Sequence, residues 1–102
     1  MIRHIVLMKC KPEASKEEIE QVLAALAALR ERIPGIVAFE AGENNSPEGI
    51  ARGYTHAFTM DFVDGQARDA YLPHPEHEKV KVLIRRILDG SPESVLVVDF
   101  SI

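Results

Sequence analysis

The sequence predicts an α+β fold in which a four-stranded antiparallel sheet carries two main helices on one face, in the order β-α-β-β-α-β. Three observations predict it. The chain has 102 residues, the length of a single domain. Four strand-sized apolar stretches with a two-residue period lie at 2–9, 36–43, 54–62 and 95–102. Two longer stretches with helical period follow the first and third of these.

Residues 2–9 place Ile2, His4, Val6 and Met8 on one face and Ile5 and Leu7 on the other. Apolar residues on both faces mark a central strand covered on two sides, and Pro12 closes it. Ser15-Lys16-Glu17-Glu18 is a capping box that starts a helix. The apolar stripe Ile19, Val22, Leu23, Leu26, Leu29 and Ile33 carries that helix to about Ile33, and Pro34-Gly35 ends it. A second strand follows from Ile36 to about Glu43, then a loop by composition, Asn44–Gly49. In the third strand Tyr54, His56, Phe58, Met60 and Phe62 share one face, while Thr55, Ala57, Thr59 and Asp61 share the other.

From Asp64 a short helix runs to near Leu72, with Ala67, Ala70 and Tyr71 on one side. Pro73 and Pro75 cannot both sit inside a helix, because each lacks a donor N–H and its ring crowds the preceding turn. Pro75 suits the first position of a new helix, with His74 near its N-cap and His77 in its first turn. His77, Val80, Leu83, Ile84, Ile87 and Leu88 form that helix's stripe until Gly90-Ser91-Pro92, and Val95–Ile102 is the last strand.

Composition narrows the partners. A net charge of −4, from 12 basic and 16 acidic side chains, argues against nucleic acid. No apolar run approaches the ~20 residues that cross a bilayer, and the N-terminus lacks a signal-peptide layout, so a cytoplasmic protein without membrane association is expected. The one cysteine, Cys10, reads as a reduced packing thiol. The alternative is a nucleophile activated by Lys9 and Lys11. With both helices on one side of the sheet, Ile5, Leu7, Ala57 and Thr59 face outward. Burying a Leu or Ile is worth roughly 1.5–3 kcal/mol, so this face is expected to pair with a second copy, giving a homodimer packed sheet to sheet.

The helix-facing side of the sheet carries the chemistry. His4 and His56 lie there on neighbouring strands, and Tyr71 and His77 flank the proline break, so the four are expected to converge. Val6, Met8 and Phe58 supply apolar walls for a small apolar ligand. At a helix start the dipole disfavours imidazolium, leaving His77 a neutral general base, and Tyr71 offers a hydroxyl hydrogen bond. This constellation suits proton abstraction next to a carbonyl, without a cofactor. The alternative is a non-catalytic binding or structural dimer with the pocket filled by Met8, Phe58 and Met60. No metal is expected, because His74 and His77 lack the i, i+4 spacing of a zinc helix.

The N-terminal His4-Ile5-Val6-Leu7, the Ile33-Pro34-Gly35 turn, Gly53-Tyr54-Thr55-His56, Tyr71-x-x-His74-Pro75-x-His77 and Val97-Val98-Asp99-Phe100 resemble the stress-responsive α/β-barrel (Dabb) family. The resemblance spans nearly the whole chain. It implies a ferredoxin-like subunit, a dimer whose two sheets form a barrel, and a stress-related role. It also implies a link to the family's plant polyketide cyclase, which makes olivetolic acid by intramolecular aldol condensation. On that resemblance His77 matches the catalytic base, Tyr71 the catalytic tyrosine, and His4 and His56 the pocket histidines. Ala24, Ala25, Ala27 and Ala28 stand where that cyclase presents aromatic residues, and no tryptophan occurs late in the second main helix. The implied catalytic pair therefore comes without the implied substrate specificity.

Overall fold

The structure is a computed structural model that describes all 102 residues, Met1–Ile102. Its elements are β1 (Ile2–Met8), α1 (Lys16–Ala28), a 3₁₀ turn (Leu29–Glu31), β2 (Ile36–Glu43), β3 (His56–Phe62), α2 (Gly65–Tyr71), α3 (Pro75–Ile87) and β4 (Val95–Ser101). The sheet order is β2-β3-β1-β4, every neighbour antiparallel, as in a ferredoxin-like fold.

Each helix begins where its capping chemistry requires. Ser15 accepts from the Glu18 N–H while the Glu18 carboxylate accepts from the Ser15 N–H, a closed capping box. Asp64 caps α2 by accepting from the Ala67 N–H. His74 caps α3, its Nδ1 accepting from the Glu76 N–H at 3.1 Å, with Pro75 at the first helical position.

Three boundaries differ from expectation. The first helix stops being α-helical at Ala28 rather than Ile33, and its last turn tightens to 3₁₀. Ile33 precedes a proline, which disfavours helical backbone there, yet its side chain remains buried. Tyr54 lies outside β3; its hydroxyl donates to the Glu93 carbonyl at 2.8 Å and its ring sits beneath the Lys9 ammonium. Lys9 leaves β1, its N–H bonding the Ser94 carbonyl and its own carbonyl accepting from Asp89.

The core lies between sheet and helices. Val6, Met8, Phe58, Met60 and Phe62 meet Leu26, Leu29, Val80 and Ile87 there. A bulge at Val37 lets Ile36 and Phe39, an odd number of positions apart, both face the helices. Gly35 has φ +93°, and a Cβ there would lie 2.5 Å from Ala67 Cβ, so α2 packs directly on the Pro34-Gly35 turn.

The opposite face of the sheet carries no helix. Ile5 and Leu7 of β1 lie beside Thr59 and Ala57 of β3 and beside Val98 and Leu96 of β4. Leu96, Val98 and Phe100 are each about half exposed. One ion pair crosses this face, the Arg3 guanidinium donating twice to Asp61 at 2.9 and 3.0 Å. No helix is long and apolar enough to cross a membrane.

Candidate active site

The proline break builds the site. In a continuous helix the Tyr71 carbonyl would accept from the N–H four residues on, but that residue is Pro75 and has none. The Glu76 N–H, which would serve Leu72, is held by His74 instead. The Tyr71 oxygen accepts from the His74 N–H at 3.0 Å, and both carbonyls also face His77, whose Nδ1 lies 3.0 Å from the Leu72 oxygen and 3.2 Å from the Tyr71 oxygen. Two carbonyl acceptors require a proton on Nδ1, so the Nε2 lone pair is left free. Burial is the main influence lowering the His77 pKa, with a smaller contribution from the Lys81 ammonium. Dipole placement was the expected reason for a neutral imidazole; burial also favours it.

Tyr71 is fully buried. Its ring stacks on His77, centroids 4.0 Å apart and planes 19° from parallel, and packs edge-on to His4 at 6.0 Å. Its hydroxyl has no hydrogen-bond partner in the protein. Burial raises its pKa, so it remains an O–H donor at neutral pH. A buried polar group normally finds a partner, and leaving one orphaned costs about 1–3 kcal/mol.

His4 is the third group. It is buried, and its Nδ1 lies 2.7 Å from Asp99 Oδ1 across the β1–β4 ladder, where the two residues are direct partners. The Arg68 guanidinium binds the other Asp99 oxygen at 3.1 Å and Asp69 at 2.9 Å. The imidazole therefore donates from Nδ1 to a carboxylate that α2 holds in place.

A cleft of about 320 Å³ joins these groups. His4, Tyr71 and His77 line it together with Val6, Met8 and Phe58. Leu72, Lys81, Ile84, Arg85, Val95 and Val97 complete most of its wall. Met8 and Phe58 do not fill the space, and Met60 lies outside it. A larger hollow of about 510 Å³ lies across the outward sheet residues Leu7, Ala57 and Thr59, but it gathers none of His4, Tyr71 and His77.

The family model of the stress responsive A/B barrel domain, Dabb, matches residues 2–102. The chain belongs to the Dabb family. Among Dabb relatives, it is 34% identical over 99 residues to the stress-response A/B barrel domain-containing protein HS1 of Arabidopsis thaliana, covering 97% of this chain and 87% of the relative. It is 24% identical over 76 residues to olivetolic acid cyclase of Cannabis sativa, covering 74% of this chain and 75% of the relative. The solved structure of a dimeric ferredoxin-like protein of unknown function from Jannaschia sp. CCS1 superposes with a TM-score of 0.86 at 28% identity, covering 99% of this chain and 98% of that one.

In this Dabb chain one expected lining residue lies elsewhere. His56 shares the helix-facing side with His4 but pairs with Met8, whereas His4 pairs with Met60. Four residue steps separate them along the strands, about 13 Å. His56 lines two other hollows, and its Nδ1 sits 2.9 Å from Thr55 Oγ1. Face was legible from alternation; position along the ladder was not.

Asp99 and Arg68 were not foreseen as the groups that hold His4. The available signal was a lone acid, Asp99, inside the apolar run Val95–Phe100. Arg68 gave no signal of its own. Cys10 is half-buried, and burial pushes its thiol pKa up, opposite to the activation its lysine neighbours suggested. No group of three or more His, Cys, Asp or Glu residues is arranged to hold a metal ion.

Proposed function

We propose that the cleft binds a small carbonyl compound and moves a proton at the carbon next to the carbonyl, as in a cyclase or isomerase, within a homodimer packed sheet to sheet. The orphaned Tyr71 hydroxyl carries the reading: a fully buried donor on a residue that lines the cleft, beside a histidine whose second nitrogen is free, is a group awaiting a ligand. The carbonyl oxygen accepts from the Tyr71 O–H. His77 Nε2 removes the α-proton, the C–H electron pair forms the enolate C=C bond, and charge gathers on the oxygen held by Tyr71. The imidazolium then exchanges its proton with solvent and returns one to the same carbon, giving exchange, or delivers it to a different carbon of a conjugated enolate, giving isomerisation. Alternatively, the enolate carbon attacks a second carbonyl of the same molecule and that oxygen takes the proton, giving a ring. Similarity to olivetolic acid cyclase supports this chemistry class.

The dimeric description of the Jannaschia protein supports the homodimer, as does the outward apolar face of Ile5, Leu7, Ala57, Thr59, Leu96 and Val98.

The test is deuterium incorporation into the methyl group of acetophenone in D₂O, followed by NMR. Wild type accelerates exchange, and His77→Gln and Tyr71→Phe abolish the acceleration. Equal exchange by wild type and His77→Gln would overturn the proposal.

A further inference from the structure

We infer that the cleft selects a carbonyl compound that also carries a carboxylate, recognised by Arg85 at the far end of α3 from His77. This assignment names the substrate class of the site proposed above and rests on that reading.

The inference starts from spacing. His77, Lys81 and Arg85 occupy i, i+4 and i+8 of α3, one face of one helix, and all three line the cleft. Successive members are about 6 Å apart along the axis. Helical side chains lean toward the N-terminus, so the two long cationic chains tilt back over the cleft toward His77.

The two cations differ in what already binds them. The Lys81 ammonium is held 2.9 Å from Glu78. Arg85 is exposed and makes no ion pair within 4 Å, although its charge helps hold the Glu78 carboxyl below its usual pKa and the neighbouring helix positions are rich in paired charges. Val95 and Val97 of β4 line the same cleft and offer no acceptor side chain. An unpaired guanidinium on the wall of a mostly apolar cleft is matched by a planar two-oxygen anion, which it can grip through two parallel N–H bonds.

Size limits the ligand. About 320 Å³ is at the small end of ligand sites, so the molecule that fits is compact. Its carbonyl sits at the Tyr71 hydroxyl, its apolar body lies against Val6, Phe58 and Ile84, and its carboxylate reaches Arg85. A short rigid spacer, such as one aromatic ring, keeps the two groups apart within a molecule of that size.

The test compares two probes of the same shape, para-acetylbenzoate and para-acetylbenzamide, by calorimetric titration of the full-length protein. The acid is expected to bind roughly five- to tenfold tighter than the amide at low salt. That preference should collapse in about 1 M salt, where the Debye length is about 3 Å. Arg85→Gln should remove it with little change in amide binding. Arg86→Gln, also exposed and outside the cleft, should retain it. Equal binding of acid and amide by wild type, or an acid preference that survives Arg85→Gln, would overturn the carboxylate assignment while leaving the carbonyl site standing. Binding of neither probe would remove the carbonyl site and the assignment with it.

Discussion

His77 stacks face to face on Tyr71, ring centroids 4.0 Å apart, while its Nδ1 is held by the Tyr71 and Leu72 carbonyls. Base and donor are thus fixed to one another by the same short segment, and neither ring can turn without disturbing the other. Such mutual fixation is what proton transfer to a positioned base requires.

Tyr71→Phe should separate stability from activity. The wild-type hydroxyl is buried without a partner, and its removal at constant shape is expected to be neutral or stabilising by up to about 1 kcal/mol. In a chain of this size 1 kcal/mol moves Tm by about 4–8 °C. Thermal melts should therefore show an unchanged or higher Tm, with acetophenone exchange lost.

The pH dependence has a defined sign. Because burial lowers the folded-state pKa of His77, the neutral base persists below the usual value of about 6.5, and the exchange rate should fall only at lower pH than a free imidazole would give. Between that folded pKa and about 6.5 the unfolded chain binds the additional proton, so stability falls as pH falls. Urea melts between about pH 7 and 5 should show a smaller acid-side loss in His77→Gln than in wild type.

Asp99 should matter through His4. Asp99→Leu leaves the His4 Nδ1–H buried without its acceptor and Arg68 without one carboxylate. Asp99 is about one-fifth exposed, so the expected loss is about 1–2 kcal/mol, the lower part of the range for a broken buried hydrogen bond. Denaturant unfolding measures it. Asp99→Asn, which keeps an oxygen for His4, should recover part of the loss.

Gly35→Ala should destabilise by about 1–3 kcal/mol, since it combines a left-handed backbone with a Cβ 2.5 Å from Ala67 Cβ. Ala67→Gly in the same chain should relieve the contact but not the backbone strain. A double-mutant cycle on urea midpoints should therefore give non-additivity with a residual cost of about 1 kcal/mol.

For the proposed dimer, Leu7→Glu or Val98→Glu places a carboxylate in the middle of the outward sheet face, beside Ala57 and Ile5 respectively. Sedimentation velocity should show monomer for either variant at concentrations where wild type is dimeric. An unchanged dimer would place the interface elsewhere.

The fold was legible because its signals are local. The Ser15 capping box and the His74-Pro75 start each act over a few residues and operate as read, whereas at Pro34-Gly35 the turn forms but the α-helix has already ended at Ala28. The site was legible only where it too was local. Tyr71 and His77 lie six residues apart across one break. His56 was misplaced because alternation gives the face of a strand but not its register, which depends on distant pairing. The Asp99 partner of His4 lies 95 residues away for the same reason.

Leu72 serves the site twice, by two separable parts. Its backbone oxygen orients the base, whereas its side chain lines the cleft. Every amino acid carries the same backbone oxygen, and any but proline also keeps the position-72 N–H bond to the Arg68 carbonyl, so the contour presented to a visiting molecule can change while the imidazole keeps its aim. On the proposed function, a change at position 72 would alter what the cleft accepts without rebuilding the stacked His77–Tyr71 pair.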